Sequence, residues 1–167
     1  MPDSPQALLD QALDRLAQAL APLPVADLQW VGVRTGGYWL AQHLVARLGA
    51  GAEVAALDVS FHRDDFSAVG VHAGAQPSTL PAGLDGADVL LVDDVLQTGR
   101  TVRAALDELF DYGRPARVRL AVLLDRGGRE LPVAPDFISQ RLDLPAERQV
   151  KLLGPDPLEL VIGGANP

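Results

Sequence analysis

The sequence predicts an α/β fold with a mostly parallel central sheet and helices on both of its faces. Apolar runs of strand length alternate with segments of helical periodicity along the chain. A length of 167 residues with 48% hydrophobic content suffices for one core. No internal repeat or linker divides the sequence. We therefore expect residues 1–167 to form a single domain.

The first third of the chain shows the alternation clearly. Ser4 and Pro5 suit the N-cap and first turn of a helix that ends near Pro22. Leucines on one stripe of this helix predict a packed face: Leu8, Leu9, Leu13, Leu16 and Leu20. The elements predicted next are a strand at 28–33, a helix at 38–49 and a strand at 52–61.

An irregular stretch at 62–87 then interrupts the pattern. It is rich in Gly, Pro and Ser, and its first part is expected to form a hairpin or a mobile flap. A loop this long in a compact domain is usually either functional or disordered. After it, the sequence predicts a strand at 88–94, a helix at 101–113 and a strand at 118–125. Short strands around Phe137, Val150 and Leu160 are expected to complete the sheet.

Composition excludes several classes of site. Without cysteine there is no disulfide, thiol nucleophile or thiolate metal site, and three scattered histidines give no zinc pattern. The acidic, amphipathic N-terminus and the lack of a long apolar run predict a soluble, cytoplasmic protein with no membrane contact. A net charge of −8, with Lys151 as the sole lysine, disfavours nonspecific binding to polyanions.

The run DVLLVDD followed by VLQTGRT combines two carboxylates with groups that bind phosphate. Asp93 and Asp94 leave the end of a buried strand, while the Thr98 and Thr101 hydroxyls and several backbone N–H groups lie at the start of the next helix. Gly99 allows close approach of the backbone. Because carboxylates would repel a phosphate, the acidic pair is expected to face two vicinal hydroxyls of a sugar. The pattern therefore predicts a site for ribose 5-phosphate.

The thirteen residues VLLVDDVLQTGRT resemble the phosphoribosyl pyrophosphate motif of type I phosphoribosyltransferases, and most closely that of the PyrR family. These are bifunctional pyrimidine-operon regulators with uracil phosphoribosyltransferase activity. Further segments match the family in order: VGVRTGG, LDVSFHRDDFS, the run at 103–133, and PDFISQ. The resemblance covers nearly the whole chain.

The resemblance implies a type I phosphoribosyltransferase fold with a flexible flap and a small hood. It implies formation of UMP and pyrophosphate from uracil and phosphoribosyl pyrophosphate. Mg²⁺ would arrive with that substrate rather than in a dedicated protein site. A homodimer or higher homo-oligomer is also implied.

Roles for individual residues follow from the same resemblance. The catalytic assignments are Asp93, Asp94 and Arg63. The phosphate-binding assignments are Val95, Leu96, Gln97, Thr98, Gly99, Arg100 and Thr101. The pyrophosphate-binding assignments are Arg34, Thr35 and Gly36. The base-binding assignments are Arg126, Phe137, Ile138 and Val150.

The sequence departs from the usual family pattern at four positions. Gly36 stands where many members have arginine, and Gly128 where histidine is usual. His62 and Gln97 stand where an aromatic residue is common. The Gly36 departure predicts that one pyrophosphate contact is lost or replaced by a backbone N–H.

Other interpretations stay open at this point. The acidic pair could be a helix-capping turn, and Arg126 and Arg129 could be solvated charges at a strand end. A nucleotide-sensing regulator with little or no catalysis, binding the mRNA leader of pyrimidine genes, is the main functional alternative. Transfer to another base is a further one. For RNA binding, arginines assembled across a homodimer are the candidates: Arg114, Arg117, Arg119 and Arg141.

Overall fold

The computed structural model describes residues 4–60 and 78–164. The described helices are α1 (Pro5–Leu20), α2 (Gly36–Arg47) and α3 (Arg100–Tyr112). The described strands are β1 (Gln29–Val33), β2 (Val54–Leu57), β3 (Asp88–Leu96), β4 (Arg117–Asp125), β5 (Phe137–Arg141), β6 (Arg148–Leu153) and β7 (Glu159–Gly164). Residues 62–77 of the predicted flap, and residue 61 of the strand predicted before it, lie outside the described residues.

The central sheet has five strands in the order β2-β1-β3-β4-β5, and all four neighbouring pairs are parallel. This confirms the predicted sheet. The chain moves from β1 outward to β2 and later from β3 outward to β4, so the strand order reverses between β1 and β3. In open α/β sheets, ligands bind at the carboxyl ends of the strands beside such a reversal.

Helices cover both faces of the sheet, as predicted. The residues of α1 and α2 share one hydrophobic cluster with Trp30 and Leu90, whereas α3 belongs to a second cluster that includes Val31 and Leu91. Alternate residues of β1 and β3 therefore face opposite layers. The Ser4 side chain caps α1 by accepting a hydrogen bond from the Ala7 N–H at 3.1 Å. The predicted leucine stripe of α1 is buried.

The strands β6 and β7 correct one prediction. They do not extend the central sheet but form a separate antiparallel pair, in which Val150 lies opposite Ile162. The connection between them, residues 154–158, is too short for the crossover that parallel pairing needs. Only the strand at Phe137 joins the central sheet, and the β6–β7 hairpin corresponds to the expected small hood.

The bounds of most elements differ from their predictions by one or two residues, and the strand predicted at 52–61 is reduced to Val54–Leu57. Two of these differences bear on the site. Strand β3 continues through Val95 and Leu96, which still pair with Leu124 and Asp125 of β4, so these two residues are strand rather than loop. Helix α2 begins at Gly36, two residues earlier than predicted. No helix among the described residues is long and apolar enough to cross a membrane.

Candidate functional site

Three parallel strands deliver the predicted site residues to one edge of the sheet. Arg34 follows β1, the acidic pair lies near the end of β3, and Arg126 follows β4. Backbone hydrogen bonds continue past the strand ends: the Arg34 N–H donates to the Leu57 carbonyl at 2.9 Å, and the Arg126 N–H donates to the Leu96 carbonyl at 3.0 Å. The segments that carry the predicted site are thereby held to neighbouring strands.

Two glycines let the start of α2 pack directly on β3. A Cβ at Gly37 would lie 2.4 Å from the Val92 carbonyl oxygen, which real Cβ atoms do not tolerate. A Cβ at Gly36 would lie 2.3 Å from Asp94 Oδ2. Because Gly36 and Gly37 have no side chains, the predicted pyrophosphate loop can lie directly beside the acidic pair.

The two aspartates are oriented by local backbone contacts. Asp93 is buried, and its Oδ1 accepts a hydrogen bond from the Asp94 N–H at 3.0 Å. Asp94 is half-buried, and its Oδ1 accepts from the Val95 N–H at 2.9 Å. Since both residues belong to β3, the interpretation of the pair as a helix-capping turn is wrong.

The segment after β3, residues 97–101, forms a tight turn into α3 that we call the phosphate loop. Gly99 is the N-cap of α3 and has a left-handed backbone with φ of 91°, which favours glycine. The Thr98 Oγ1 accepts a hydrogen bond from the Arg100 N–H at 3.1 Å. The Arg100 N–H is thereby already used, whereas Gly99 provides no side-chain cap for the amides of Thr101 and Val102, so these two donors suit a bound anion.

A cavity of about 190 Å³ lies where these parts meet. Its lining combines carboxylate, hydroxyl, amide and guanidinium groups: Asp93, Val95, Leu96, Gln97, Thr98, Gly99, Thr101, Val102 and Arg126. The structure thus brings together most of the residues assigned to the ribose and phosphate, but not Asp94, whose carboxylate lies beside Gly36 rather than in this lining. Arg100 has a different contact, since its Nε donates to Glu130 Oε2 at 2.7 Å.

Arg34 lies close to Tyr38 of α2. Its guanidinium carbon is 5.5 Å from the centre of the Tyr38 ring, a cation–π distance. Its Nε is buried and has no hydrogen-bond partner within the described ranges. Thr35, the N-cap of α2, is exposed and makes no side-chain cap. Arg63 and His62 lie outside the described residues.

A second cavity, of about 370 Å³, adjoins the first and shares Arg126 with it. It is lined by Asp125, Arg126, Gly127, Arg129, Arg141, Leu142 and Asp143. The Arg126 guanidinium donates to the Pro145 carbonyl at 3.3 Å. A ligand that spans both cavities would pass Arg126.

The other three residues assigned to the base lie on β5 and β6, and Phe137 pairs with Ala121, four residues before the end of β4. Phe137 and Val150 are partly buried against the hydrophobic cluster of α1 and α2. Ile138 pairs with Val122 in the central sheet. None of the three lines either of the two cavities, and their role in base binding remains a prediction.

The structure adds an ion pair that the sequence assignments missed. Arg129 donates two hydrogen bonds to the carboxylate of Asp125, at 2.8 and 2.7 Å. These bonds, above all, hold the pKa of the Asp125 carboxyl below its usual 3.8. Arg129 is therefore not a solvated charge. The sequence offered one signal for this contact, an acidic residue at a strand end followed by an arginine four residues later. Because the two residues are not on a helix, that spacing alone does not predict that they meet.

Comparison with known proteins agrees with this geometry. A family model described as the phosphoribosyl transferase domain matches residues 13–156. The bifunctional protein PyrR of Pseudomonas fluorescens is 48% identical over 157 residues, which cover 94% of each chain. The protein of the same name from Pseudomonas entomophila is 50% identical and covers 94% of this chain and 91% of its own.

Solved structures show the same fold. A purine phosphoribosyltransferase from Pyrococcus horikoshii is 25% identical, with a TM-score of 0.59 over 81% of this chain and 83% of that chain. A hypoxanthine-guanine phosphoribosyltransferase from Bacillus anthracis is 15% identical, with a TM-score of 0.63 over 84% of this chain and 82% of that chain. The second likeness shows the fold alone.

Proposed function

Because the chain belongs to the PyrR family of phosphoribosyltransferases, we propose that it transfers the phosphoribosyl group of phosphoribosyl pyrophosphate to uracil. The products are UMP and pyrophosphate. The observation that carries this proposal is the cavity in which the acidic strand end, the phosphate loop and Arg126 meet.

The ribose 5-phosphate occupies this cavity. The phosphate lies at the start of α3, where the Thr98 and Thr101 hydroxyls and the amides of Thr101 and Val102 donate hydrogen bonds. The carboxylates of Asp93 and Asp94 accept hydrogen bonds from the two ribose hydroxyls. Neither aspartate acts as a nucleophile, and their contribution is orientation.

The pyrophosphate lies on the β1 side of the acidic pair. The loop at Arg34, Thr35 and Gly36 supplies a cation, a hydroxyl and backbone amides close to Asp94. The buried, unpartnered Nε of Arg34 supports a ligand at this position. Arg63 is proposed as a second cation over the leaving group.

Mg²⁺ accompanies phosphoribosyl pyrophosphate in this proposal. Within residues 4–60 and 78–164, no group of three or more acidic or histidine side chains could hold a metal alone. Two adjacent carboxylates fit an ion that is mainly held by substrate oxygens, since Mg²⁺ commonly binds one or two carboxylates and phosphates. The ion would offset negative charge on the departing pyrophosphate.

The base lies toward the second cavity, past Arg126. The resemblance assigns Phe137, Ile138 and Val150 to the base, but they lie outside the lining of this cavity, which Asp125, Arg129 and Arg141 help to form. The reaction forms a bond from the uracil N1 to the anomeric carbon, breaks the bond from that carbon to pyrophosphate, and releases the N1 proton. Positive charge develops on the ribose as the bond breaks, so precise placement of the leaving group lowers the barrier.

The test is nucleotide formation by the purified protein with Mg²⁺ and phosphoribosyl pyrophosphate. Uracil, hypoxanthine, guanine, adenine and orotate are supplied separately, and Asp94→Asn is assayed beside the wild type. We expect UMP from uracil alone, and at least a tenfold loss of rate in the variant because a charged contact to the ribose is removed. Product from another base and none from uracil would contradict the proposal.

A regulator that senses UMP in the same cavity is the second candidate, because the similar Pseudomonas proteins carry the name bifunctional. Binding of a pyrimidine-operon mRNA leader belongs to this alternative, as does a homodimer or higher homo-oligomer acting in the cytoplasm. The four candidate arginines do not share one face in one chain. Arg117 begins β4, while Arg141 lies beside Asp125 at the opposite end of that strand. UMP binding without product from any base would favour the regulator.

A further inference from the structure

We infer that Arg129 is a positioning residue that holds the phosphate loop in its binding geometry, with the buried Asp125 carboxylate holding Arg129 in turn. This inference rests on the proposed phosphoribosyl pyrophosphate site. It concerns a residue to which the proposal assigns no contact with phosphoribosyl pyrophosphate.

Arg129 joins three separate segments through one guanidinium group. It donates to the Gln97 carbonyl at 2.9 Å, which lies at the start of the phosphate loop. Its Nε donates to the Val133 carbonyl at 2.8 Å, and its terminal nitrogens donate to Asp125 at 2.8 and 2.7 Å. The planar arginine fork suits several simultaneous hydrogen bonds, whereas lysine has a single charged nitrogen.

The segment organised by Arg129 also supports the rest of the phosphate loop. The N–H groups of Glu130 and Leu131 both donate to the Thr98 carbonyl, at 2.9 and 3.1 Å. A Cβ at Gly99 would lie 3.3 Å from the Val133 side chain, so the turn rests closely on this segment. Displacement of residues 129–133 would therefore move Thr98 and Gly99.

Burial makes the arrangement rigid. The side chain of Asp125 is 5% exposed and that of Arg129 is 26% exposed. The Gly127 N–H donates to Asp125 Oδ1 at 2.9 Å, which fixes the carboxylate at the end of β4. Truncation of Arg129 would leave this buried carboxylate without its main partner. The turn that presents amides to the phosphate would then lose its fixed support.

The experiment compares Arg129→Met and Arg129→Lys with the wild type by calorimetric titration of phosphoribosyl pyrophosphate in the presence of Mg²⁺. Steady-state kinetics then give KM for each substrate. We expect the Kd and KM for phosphoribosyl pyrophosphate to rise about 10- to 100-fold in Arg129→Met, because small misplacement of binding groups is costly. Arg129 also lines the cavity proposed for the base, so the KM for uracil should rise as well, but by a smaller factor than the Kd and KM for phosphoribosyl pyrophosphate. Arg129→Lys should show the same pattern.

Arg103→Met is the matched control. Arg103 is also an arginine paired with an aspartate four residues away, but it lies on α3, its side chain is 49% exposed, and Asp107 is its partner. This variant should bind phosphoribosyl pyrophosphate as the wild type does.

Several outcomes would overturn the inference. Wild-type affinity for phosphoribosyl pyrophosphate in a folded Arg129→Met would do so directly. Equal rises in KM for both substrates would indicate general damage, and failure of both variants to fold would assign Arg129 to stability instead. If the wild type binds phosphoribosyl pyrophosphate but makes no UMP, the proposed reaction fails while the titration still tests Arg129. If the wild type binds none, both proposals fail.

Discussion

Gly36 illustrates how one departure from the usual family pattern fits its surroundings. The resemblance predicts arginine at this position in many members, whereas this chain has no side chain there. The space that a Cβ would need is occupied by the carboxylate of Asp94, at 2.3 Å from Oδ2 and 2.7 Å from Cγ. The small residue and the placement of the carboxylate therefore depend on each other.

Substitution Gly36→Ala should displace the Asp94 carboxylate. We expect kcat/KM for phosphoribosyl pyrophosphate to fall about tenfold or more, since the displaced carboxylate is the proposed ribose contact. The measurement is initial rate against phosphoribosyl pyrophosphate concentration. Gly83→Ala is the control, because a Cβ there meets nothing within 4 Å. Equal kcat/KM in the two variants would show that Asp94 does not need its present position.

Residue types at the site were predictable only where a compact motif carries them. The order of acidic, hydroxyl and glycine residues around Asp93, Thr98 and Gly99 identified the cavity that the structure shows. The contact between Arg129 and Asp125 was not predictable, because it crosses an irregular loop and depends on carbonyls of Gln97 and Val133. The amino-acid sequence alone does not specify the orientation of backbone carbonyl groups in such a loop.

At the level of elements, the end of β4 carries a carboxyl group that should make the stability of the protein depend on pH. Asp125 is the last residue of this strand, and the bonds from Arg129 lower its pKa below 3.8. The folded protein therefore binds a proton at this carboxyl less readily than the unfolded chain does. The resulting stabilisation is complete above pH 3.8 and is lost as the pH falls through the lower folded value.

Asp125→Asn should consequently be less stable than the wild type at neutral pH, by about 1–3 kcal/mol, because a charge-assisted hydrogen-bond pair is broken. The difference in the free energy of unfolding should shrink as the pH falls below 3.8. Urea unfolding of both proteins at pH 7 and in steps below pH 4 measures this. A difference that stays constant, or grows, as the solution becomes acidic would contradict the assigned ion pair.

Elements with strong periodicity were predicted well, and their ends were not. The leucine stripe and Ser4 cap located α1 because both signals are local. The extension of β3 to Leu96 depends on pairing with Asp125 of β4, and the separate β6–β7 hairpin depends on which strand Val150 meets. These are long-range choices that short apolar runs do not encode.

For the whole molecule, alternation of strands and helices was enough to predict the layers but not the strand order. The pairing of β1 with β3 explains why segments distant in sequence, at Gly36 and Asp94, become neighbours. Close packing of α2 on β3 depends on Gly37, whose Cβ would meet the Val92 carbonyl oxygen. The family resemblance supplied the function that this geometry supports.

Charge distribution matters at the same scale. The net charge is −8, and the candidate RNA-binding arginines lie at both ends of β4 rather than together. A terminal nitrogen of Arg119 forms an ion pair with Asp88 Oδ2 at 3.3 Å. A terminal nitrogen of Arg114 donates to the Phe110 carbonyl at 2.6 Å. A single chain therefore presents no joint surface of these four arginines, which favours the small-molecule site as the centre of function.

The most direct test of the central claim is calorimetric titration of UMP into the wild type, Asp94→Asn and Thr101→Val, because it examines the cavity independently of catalysis. The account predicts that the wild type binds UMP and that each variant binds it more weakly. The loss in binding free energy should be about 1.5–3 kcal/mol in Asp94→Asn, which removes a charged contact, and about 0.5–1.5 kcal/mol in Thr101→Val, which removes a hydroxyl. Undiminished affinity in both folded variants would place the nucleotide elsewhere and contradict the account.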